Sequence, residues 1–374
     1  MTTRLAAVIS AVFEHGAIRL ARIGLARISL AAIGLAAISL AAISPPASAQ
    51  SLDDLYAKAK SEGAFVLYVG GPTAPWEAMA KVFNAKYPGI AISISGGFSN
   101  VLDKKVDSQI AAGKLEVDAA ILQTIADFVR WKAAGHLVIF KPAGFDKIDP
   151  RFKDPDGAYW ATMVNAVPYM YNTEKVAPAD VPNSALDFLK AQFKGKIVTA
   201  YPADDDVTLW VFYHIVQKYG WSYMDKYMAA KPNFIQGHLG EQRSIGSGEN
   251  LATFDSIYNI TTVLKKQGMK VDSHFPTVDA TPFWPLSGAI FKGAPHENAA
   301  KLFLSWLLEP AQQIATETWS GRSDVPPPAG YKPIFDYKVV TDYKAFLVDT
   351  TKIADLRKRF EKYSGPVVNA GGVR

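Results

Sequence analysis

The chain has 374 residues and no cysteine, which excludes disulfides, thiolate metal sites and thiol nucleophiles. Lysine and arginine number 40 against 35 acids, a formal charge of +5; four of those arginines and one glutamate fall in the first 49 residues, so the rest carries only +2 and implies no nucleic-acid partner. That remainder is long enough for two lobes with a core each.

The first 49 residues read as an export signal. Arg4, Arg19, Arg22 and Arg27 precede a run without charge from Ile28 until Asp53, and the helix-breaking Pro45-Pro46 leads to the small-x-small triplet Ala47-Ser48-Ala49. Within it the unit Ala21-Arg22-Ile23-Gly24-Leu25 recurs with Ala replacing Arg, a period of five that matches neither helix nor strand and reads as tandem duplication. Cleavage near Ala49 would leave Gln50 as the new N-terminus. The alternative is an uncleaved anchor, since the apolar run approaches the roughly 20 residues that span a bilayer.

A helix with Leu52, Leu55 and Ala59 on one face leads to a strand at 64–69, which Gly70-Gly71-Pro72-Thr73 breaks. Helical periodicity resumes over 76–87, followed by a strand at 90–94, a Gly96-Gly97 loop, a helix at 99–112, a strand at 117–122 and a helix at 125–134. Extended runs then cover 159–164 and 167–172. A second series follows with a helix at 186–193, a strand at 195–200, a helix at 208–219 and a strand at 251–254. The chain returns through 287–290 to a helix at 297–308, and Ile353, Leu356 and Phe360 mark a last amphipathic helix. Alternation at this spacing predicts an α/β protein built from βαβ units, and the extended crossovers predict two lobes joined by a hinge.

Three stretches carry a resemblance. They are Tyr68-Val69-Gly70-Gly71, Pro168-Tyr169-Met170-Tyr171-Asn172, and Ala289-Ile290-Phe291-Lys292-Gly293-Ala294-Pro295-His296 with its continuation Glu297-Asn298-Ala299-Ala300-Lys301-Leu302-Phe303. In these the chain resembles the iron(III)/phosphonate-like branch of the ABC transporter extracellular solute-binding proteins, which have the type 2 periplasmic binding fold. The resemblance implies an α/β two-lobed molecule, each lobe a mainly parallel sheet flanked by helices. Residues 1–49 would be the signal peptide, 50–168 and 276–308 lobe I, 169–275 and 309–330 lobe II, and 331–374 a C-terminal helical segment packed on the lobes. It also implies a periplasmic monomer with no cofactor, whose partners are a small-molecule solute and an inner-membrane ABC permease.

Iron-binding members of that family use adjacent tyrosines late in the second lobe. The matching stretch, Thr253-Phe254-Asp255-Ser256-Ile257-Tyr258-Asn259, has no such pair, and iron(III) needs several anionic oxygens. A small polar organic solute is therefore the expected ligand. Ferric or other metal transport is the alternative, and an enzyme on a two-lobed scaffold a second one.

Ligands of α/β sheets sit where strand ends meet helix N-termini. In the first lobe this nominates Gly71 and Thr73, then Gly97, Phe98 and Ser99, then Thr124. In the second, Tyr201-Pro202-Ala203-Asp204-Asp205-Asp206-Val207-Thr208 places three acids at one such junction. Each can cap the helix or face the ligand; Asp206, nearest the helix, is the expected cap, and Asp204 or Asp205 the expected contact, with Thr208. Gln236, His238, Asp255 and Tyr258 complete the second-lobe candidates, and Tyr169 on the crossover could stack on a solute. Arg322 and Asp324 lie in a late loop expected to brace the fold.

Apart from His15 in the leader, the histidines are His136, His214, His238, His274 and His296, none spaced as a metal pair. No Gly-x-Ser-x-Gly elbow, P-loop, His-Glu-x-x-His helix or Gly-x-Gly-x-x-Gly turn occurs, so no catalytic or metal residue is expected.

Overall fold

The computed structural model describes residues 51–368, so the leader, its repeat and the cleavage triplet lie outside the described residues. From α1 (Leu52–Glu62) the chain alternates through β1 (Ala64–Gly70), α2 (Ala74–Lys86), β2 (Ala91–Gly97), α3 (Ser99–Ala111), β3 (Ala119–Leu122) and α4 (Ile125–Ala133). The crossover strands β4 (Trp160–Ala166) and β5 (Tyr169–Asn172) are separated only by Val167 and Pro168. A second series holds β6 (Val198–Thr199), α5 (Asp206–Tyr219), α6 (Ser222–Ala229), β7 (Asn233–Phe234), α7 (His238–Gly246), β8 (Ala252–Thr253), α8 (Tyr258–Lys266) and β9 (Val271–His274). The chain comes back through β10 (Thr281–Ile290) to α9 (Glu297–Leu307), α10 (Pro310–Ala315), β11 (Val339–Val340), α11 (Tyr343–Val348) and α12 (Thr350–Ser364).

Two open sheets repeat one plan. In the first, β2, β1 and β3 are parallel neighbours, and β10 enters antiparallel between β3 and β4. In the second, β6 pairs parallel with β7, a bridge from Ile197 to Ala252 joins β6 to β8 in the parallel sense, and β5 enters antiparallel between β8 and β9. Each sheet thus has four strands running one way with β10 or β5 antiparallel among them, and β11 pairs parallel with β10 at the edge of the first. The two antiparallel strands are the exchanged ones: β5 goes forward into the second lobe and β10 returns to the first. The hinge is where they pass. There Val167 N donates to Pro282 O at 2.8 Å, and Ser256 Oγ donates to Pro168 O at 2.7 Å.

Burial follows the apolar pattern. Phe65, Phe83, Phe303 and Trp306 form one aromatic packing group between the first sheet, α2 and α9, with ring centroids 5.1–5.2 Å apart along the chain of contacts. Asp118 is buried at the start of β3 because its carboxylate is fully used: it accepts from Val66 N, His296 N and His296 Nδ1 at 2.7–2.9 Å. Glu62 accepts from Asn298 N and Ala299 N, meeting the orphan amides at the start of α9.

Three expectations need correction. Residues 186–193 form two short 3-10 turns, Ala185–Leu189 and Ala191–Phe193, rather than a helix. The Asp187 carboxylate folds back onto Asn183 N and Ser184 N, and Lys190 is extended, so no α-helical ladder can propagate. Gly96-Gly97 is not a loop but the end of β2, paired to Val69 and Gly70. The stretch after α9, expected in lobe II, instead binds the first sheet. Gln313 Nε2 donates to Thr162 O at 2.8 Å, Thr318 Oγ1 donates to Val164 O at 2.9 Å, and Val164 N donates to Trp319 O at 2.7 Å. Arg322 does brace this region, forking onto Asp324 and donating to Leu308 O.

The C-terminal segment straps both lobes. Tyr343 on α11 donates to Arg151 O at 2.7 Å and packs against Trp210 of α5 and Trp284 of β10, while Arg357 on α12 pairs with Asp206. Among the described residues no helix is long and apolar enough to cross a membrane.

Candidate functional site

The strand-to-helix junctions of both sheets converge. In the first lobe the turn after β1 crosses close to β2: Gly71 N donates to Gly97 O at 2.8 Å, and a Cβ on Gly96 would lie 2.5 Å from Gly71 O, so only glycine fits there. Ser99 Oγ, buried at the start of α3, accepts from Gln123 N at 3.3 Å and ties the junction after β2 to the one after β3. Thr124 opens α4 with its hydroxyl buried and unpartnered.

These junctions meet the second lobe directly. Asn100 Nδ2 donates to both Asp204 O and Asp204 Oδ1 at 3.2 Å, and Gln123 Nε2 donates to Asp205 Oδ2 at 2.8 Å. Gln236 Nε2 supports Asp204 from within its own lobe at 3.0 Å. Phe98 lies over Gly237, which has φ 79° and where a Cβ would come within 2.8 Å of the ring. Two amide–carboxylate pairs and one aromatic lid therefore define the seam between lobes.

Asp205, not Asp206, caps α5: its Oδ1 accepts from Val207 N and Thr208 N at 2.8 and 3.0 Å. Asp206 is already helical and turns to Arg357. Burial raises the Asp206 carboxyl to about 6 against the pull of that guanidinium.

Beneath the seam lies a buried polar cluster from three elements of the second lobe. His238 and Glu241 stand one turn apart on α7, and Asp255 follows β8. Thr208 Oγ1 and Thr199 Oγ1 donate to Asp255 Oδ2 at 2.7 and 3.2 Å. The ring of His238 has Nε2 at 3.5 Å from Asp255 Oδ1 and Nδ1 at 3.8 Å from Asp205 Oδ2. Burial opposes its charge, yet Asp205 and Asp255 outweigh that and push His238 up to about 10. Burial, then the neighbouring Asp255, drives Glu241 well above the ordinary carboxyl range.

A family profile described as bacterial extracellular solute-binding protein matches residues 78–346. The chain belongs to this family. The fold is similar to that of the periplasmic binding protein AfuA from Actinobacillus pleuropneumoniae, whose structure holds exogenous fructose-6-phosphate; identity is 17%, coverage 82% of this chain and 99% of that one, and TM-score 0.70. Iron-bound HitA from Pseudomonas aeruginosa gives 17% identity, 79% and 99% coverage and a TM-score of 0.66. The substrate-binding protein of an Agrobacterium tumefaciens ABC transporter gives 14%, 80% and 94%, and 0.69. No curated protein sequence matches the chain. As a member of this family the protein is a binder rather than an enzyme.

Of the residues nominated from sequence, Phe98, Asp204, Asp205 and Gln236 make or directly support the seam, with Ser99 and Thr124 behind it, Gly71 and Thr73 in the turn after β1 and Gly97 at the end of β2. Thr208, His238 and Asp255 form the cluster below. Two nominations fall elsewhere. Tyr169 donates to Asp279 at 2.7 Å, and Asp279 is also bound by Lys218 and Tyr219 in the last turn of α5. That end of the 14-residue helix is about 20 Å from Asp205. Tyr258 packs on Trp319 and Tyr331, with centroids 4.9 and 5.0 Å away. Sequence reasoning missed Glu241. Its signal was the three-residue spacing from His238, visible only once 238–246 is known to be helical.

Proposed function

We propose that this solute-binding protein is the capturing component of an ABC importer, working as a periplasmic monomer after loss of residues 1–49 and delivering its load to an inner-membrane permease. The load is a small polar organic solute carrying both an acidic and a hydroxyl or amino function. One observation supports this above others: at the seam, amide donors of the first lobe, Asn100 and Gln123, face carboxylates of the second, Asp204 and Asp205. A solute with an acid at one end and a donor at the other can take both halves of these pairs. A plain inorganic anion would meet the two carboxylates, a repulsion of roughly 1–4 kcal/mol per charge at about 4 Å.

Thermal-shift screening across amino acids, polyols, organic acids, phosphonates and inorganic anions tests this, because a ligand at about 100 times its Kd stabilises by about 2.7 kcal/mol. The expected hits are bifunctional organic solutes whose affinity falls in Asn100→Ala and Asp204→Ala. Hits confined to inorganic anions would overturn the solute class. Intact mass of protein from the native host tests processing: a chain beginning near Gln50 is expected, and a retained leader in the membrane fraction would mean an anchored binder.

A further inference from the structure

We infer that His238, Glu241 and Asp255 form a binding site for a divalent transition-metal cation of the zinc or manganese class, buried in the second lobe beneath the seam. One ligand atom from each side chain lies within 4.8 Å of the others. His238 is 7% exposed and both acids are 0% exposed, so water does not neutralise them. Both Glu241 oxygens and Asp255 Oδ1 are buried without a hydrogen-bond partner, and the nearest group to Asp255 Oδ1 is the His238 ring at 3.5 Å. Burying such groups unpaired is costly, and a cation is the group that answers all three at once.

Charge counting points the same way. Asp205, Glu241 and Asp255 bring three carboxylates around a single imidazole, and among the described residues no lysine or arginine forms an ion pair with any of them. The orientation of the ring suits coordination: Nδ1 faces the Asp205 carboxylate, leaving Nε2 beside Asp255 Oδ1, the carboxylate–histidine–metal order found around bound cations. One imidazole nitrogen with carboxylate oxygens and no thiolate selects zinc, manganese or iron(II) over soft ions, and over calcium or magnesium, which favour oxygen alone. Metal–ligand bonds of about 2.0–2.2 Å require the three side chains to draw together, and water completes the shell.

Access to this site runs through the seam. Gly237, immediately before His238, lies under Phe98, and Asp205 is held by Gln123. Separating the lobes uncovers the ring edge of His238; closing them buries the ion.

The test uses the chain purified without a polyhistidine tag, stripped with chelator and dialysed against Zn2+ or Mn2+ alone, with bound metal counted by mass spectrometry. One ion per chain is expected, weakened about 10–100-fold in Glu241→Gln and in His238→Gln. Glu241→Gln is isosteric and removes a buried, unpartnered carboxyl, so its apo melting point should match or exceed the wild type; Zn2+ should raise the melting point of the wild type alone. Absence of a stoichiometric ion, or equal binding by Glu241→Gln, overturns the site. The inference does not depend on the proposed solute: solute affinity measured on Glu241→Gln in chelator fails or succeeds separately from metal counting.

Discussion

Gln123 in the first lobe and Asp205 in the second are joined by a 2.8 Å hydrogen bond, and the same aspartate caps α5 through its other oxygen. A single carboxylate thus serves helix stability and lobe closure together. Asp204, one residue earlier, serves only the seam. Replacing Asp205 by Ala should therefore cost about 1 kcal/mol of cap energy, within a range of about 0.5–2, and lower the apo melting point by a few degrees. Asp204→Ala should leave the apo melting point nearly unmoved while weakening solute binding. Equal melting points for the two variants would show that the cap contributes nothing measurable.

The packing of Phe98 over Gly237 makes a prediction about closure. Phe98→Ala removes an aromatic contact between lobes without touching either core, so small-angle scattering should report a larger mean radius and ligand dissociation should quicken. A radius and a dissociation rate identical to the wild type would mean that the ring is not part of the latch.

How much of this was legible beforehand depends on the range of the interaction. The βαβ alternation and the crossover strands come from local periodicity, and apart from Gly96-Gly97 and residues 186–193 their residues stand where the pattern puts them. The assignment of Asp206 as cap failed because capping is decided by which residue is still extended when the helix begins. Asp205 has φ −112° and ψ 129°, and the sequence Asp204-Asp205-Asp206 offers three equal choices. Tyr169 and Tyr258 were drawn to the site by chemistry that suits ligands, but their neighbours Asp279 and Trp319 lie 110 and 61 positions further along and could not be paired with them from spacing. Glu241 was invisible for the same reason: its neighbour Asp255 arrives from the turn after β8.

Asp279 gives a prediction for the hinge. It accepts from Tyr169 Oη, Tyr219 Oη, Lys218 Nζ and Ala185 N, and although burial works the other way these donors hold its carboxyl below the usual range. A depressed pKa contributes stability above the unfolded value and loses it as pH falls through the folded one. Asp279→Ala should cost on the order of 3 kcal/mol by stranding a buried hydroxyl and a lysine. Tyr169→Phe should lower stability less and leave solute affinity unchanged. A tenfold loss of affinity in Tyr169→Phe would return that tyrosine to the binding site.

Asp206 sets a pH dependence of the opposite sign. Its carboxyl titrates near 6 in the folded protein because burial disfavours the charge, with Arg357 only partly offsetting it. The unfolded value is about 3.9. Between the two the native state holds more protons than the unfolded one, so this group makes stability fall as pH rises from about 4 to about 6, by up to about 3 kcal/mol. Above that window the carboxylate is ionised in both states and the cost is constant. Urea unfolding at pH 4, 5, 6 and 7 should show the slope in the wild type and a flatter profile in Asp206→Asn, which has no proton to bind. Arg357→Gln removes the attraction that holds the carboxyl down, so its falling limb should extend to higher pH than in the wild type. Parallel profiles for wild type and Asp206→Asn would mean that the carboxyl titrates alike in the folded and unfolded chain and that its burial carries no electrostatic cost.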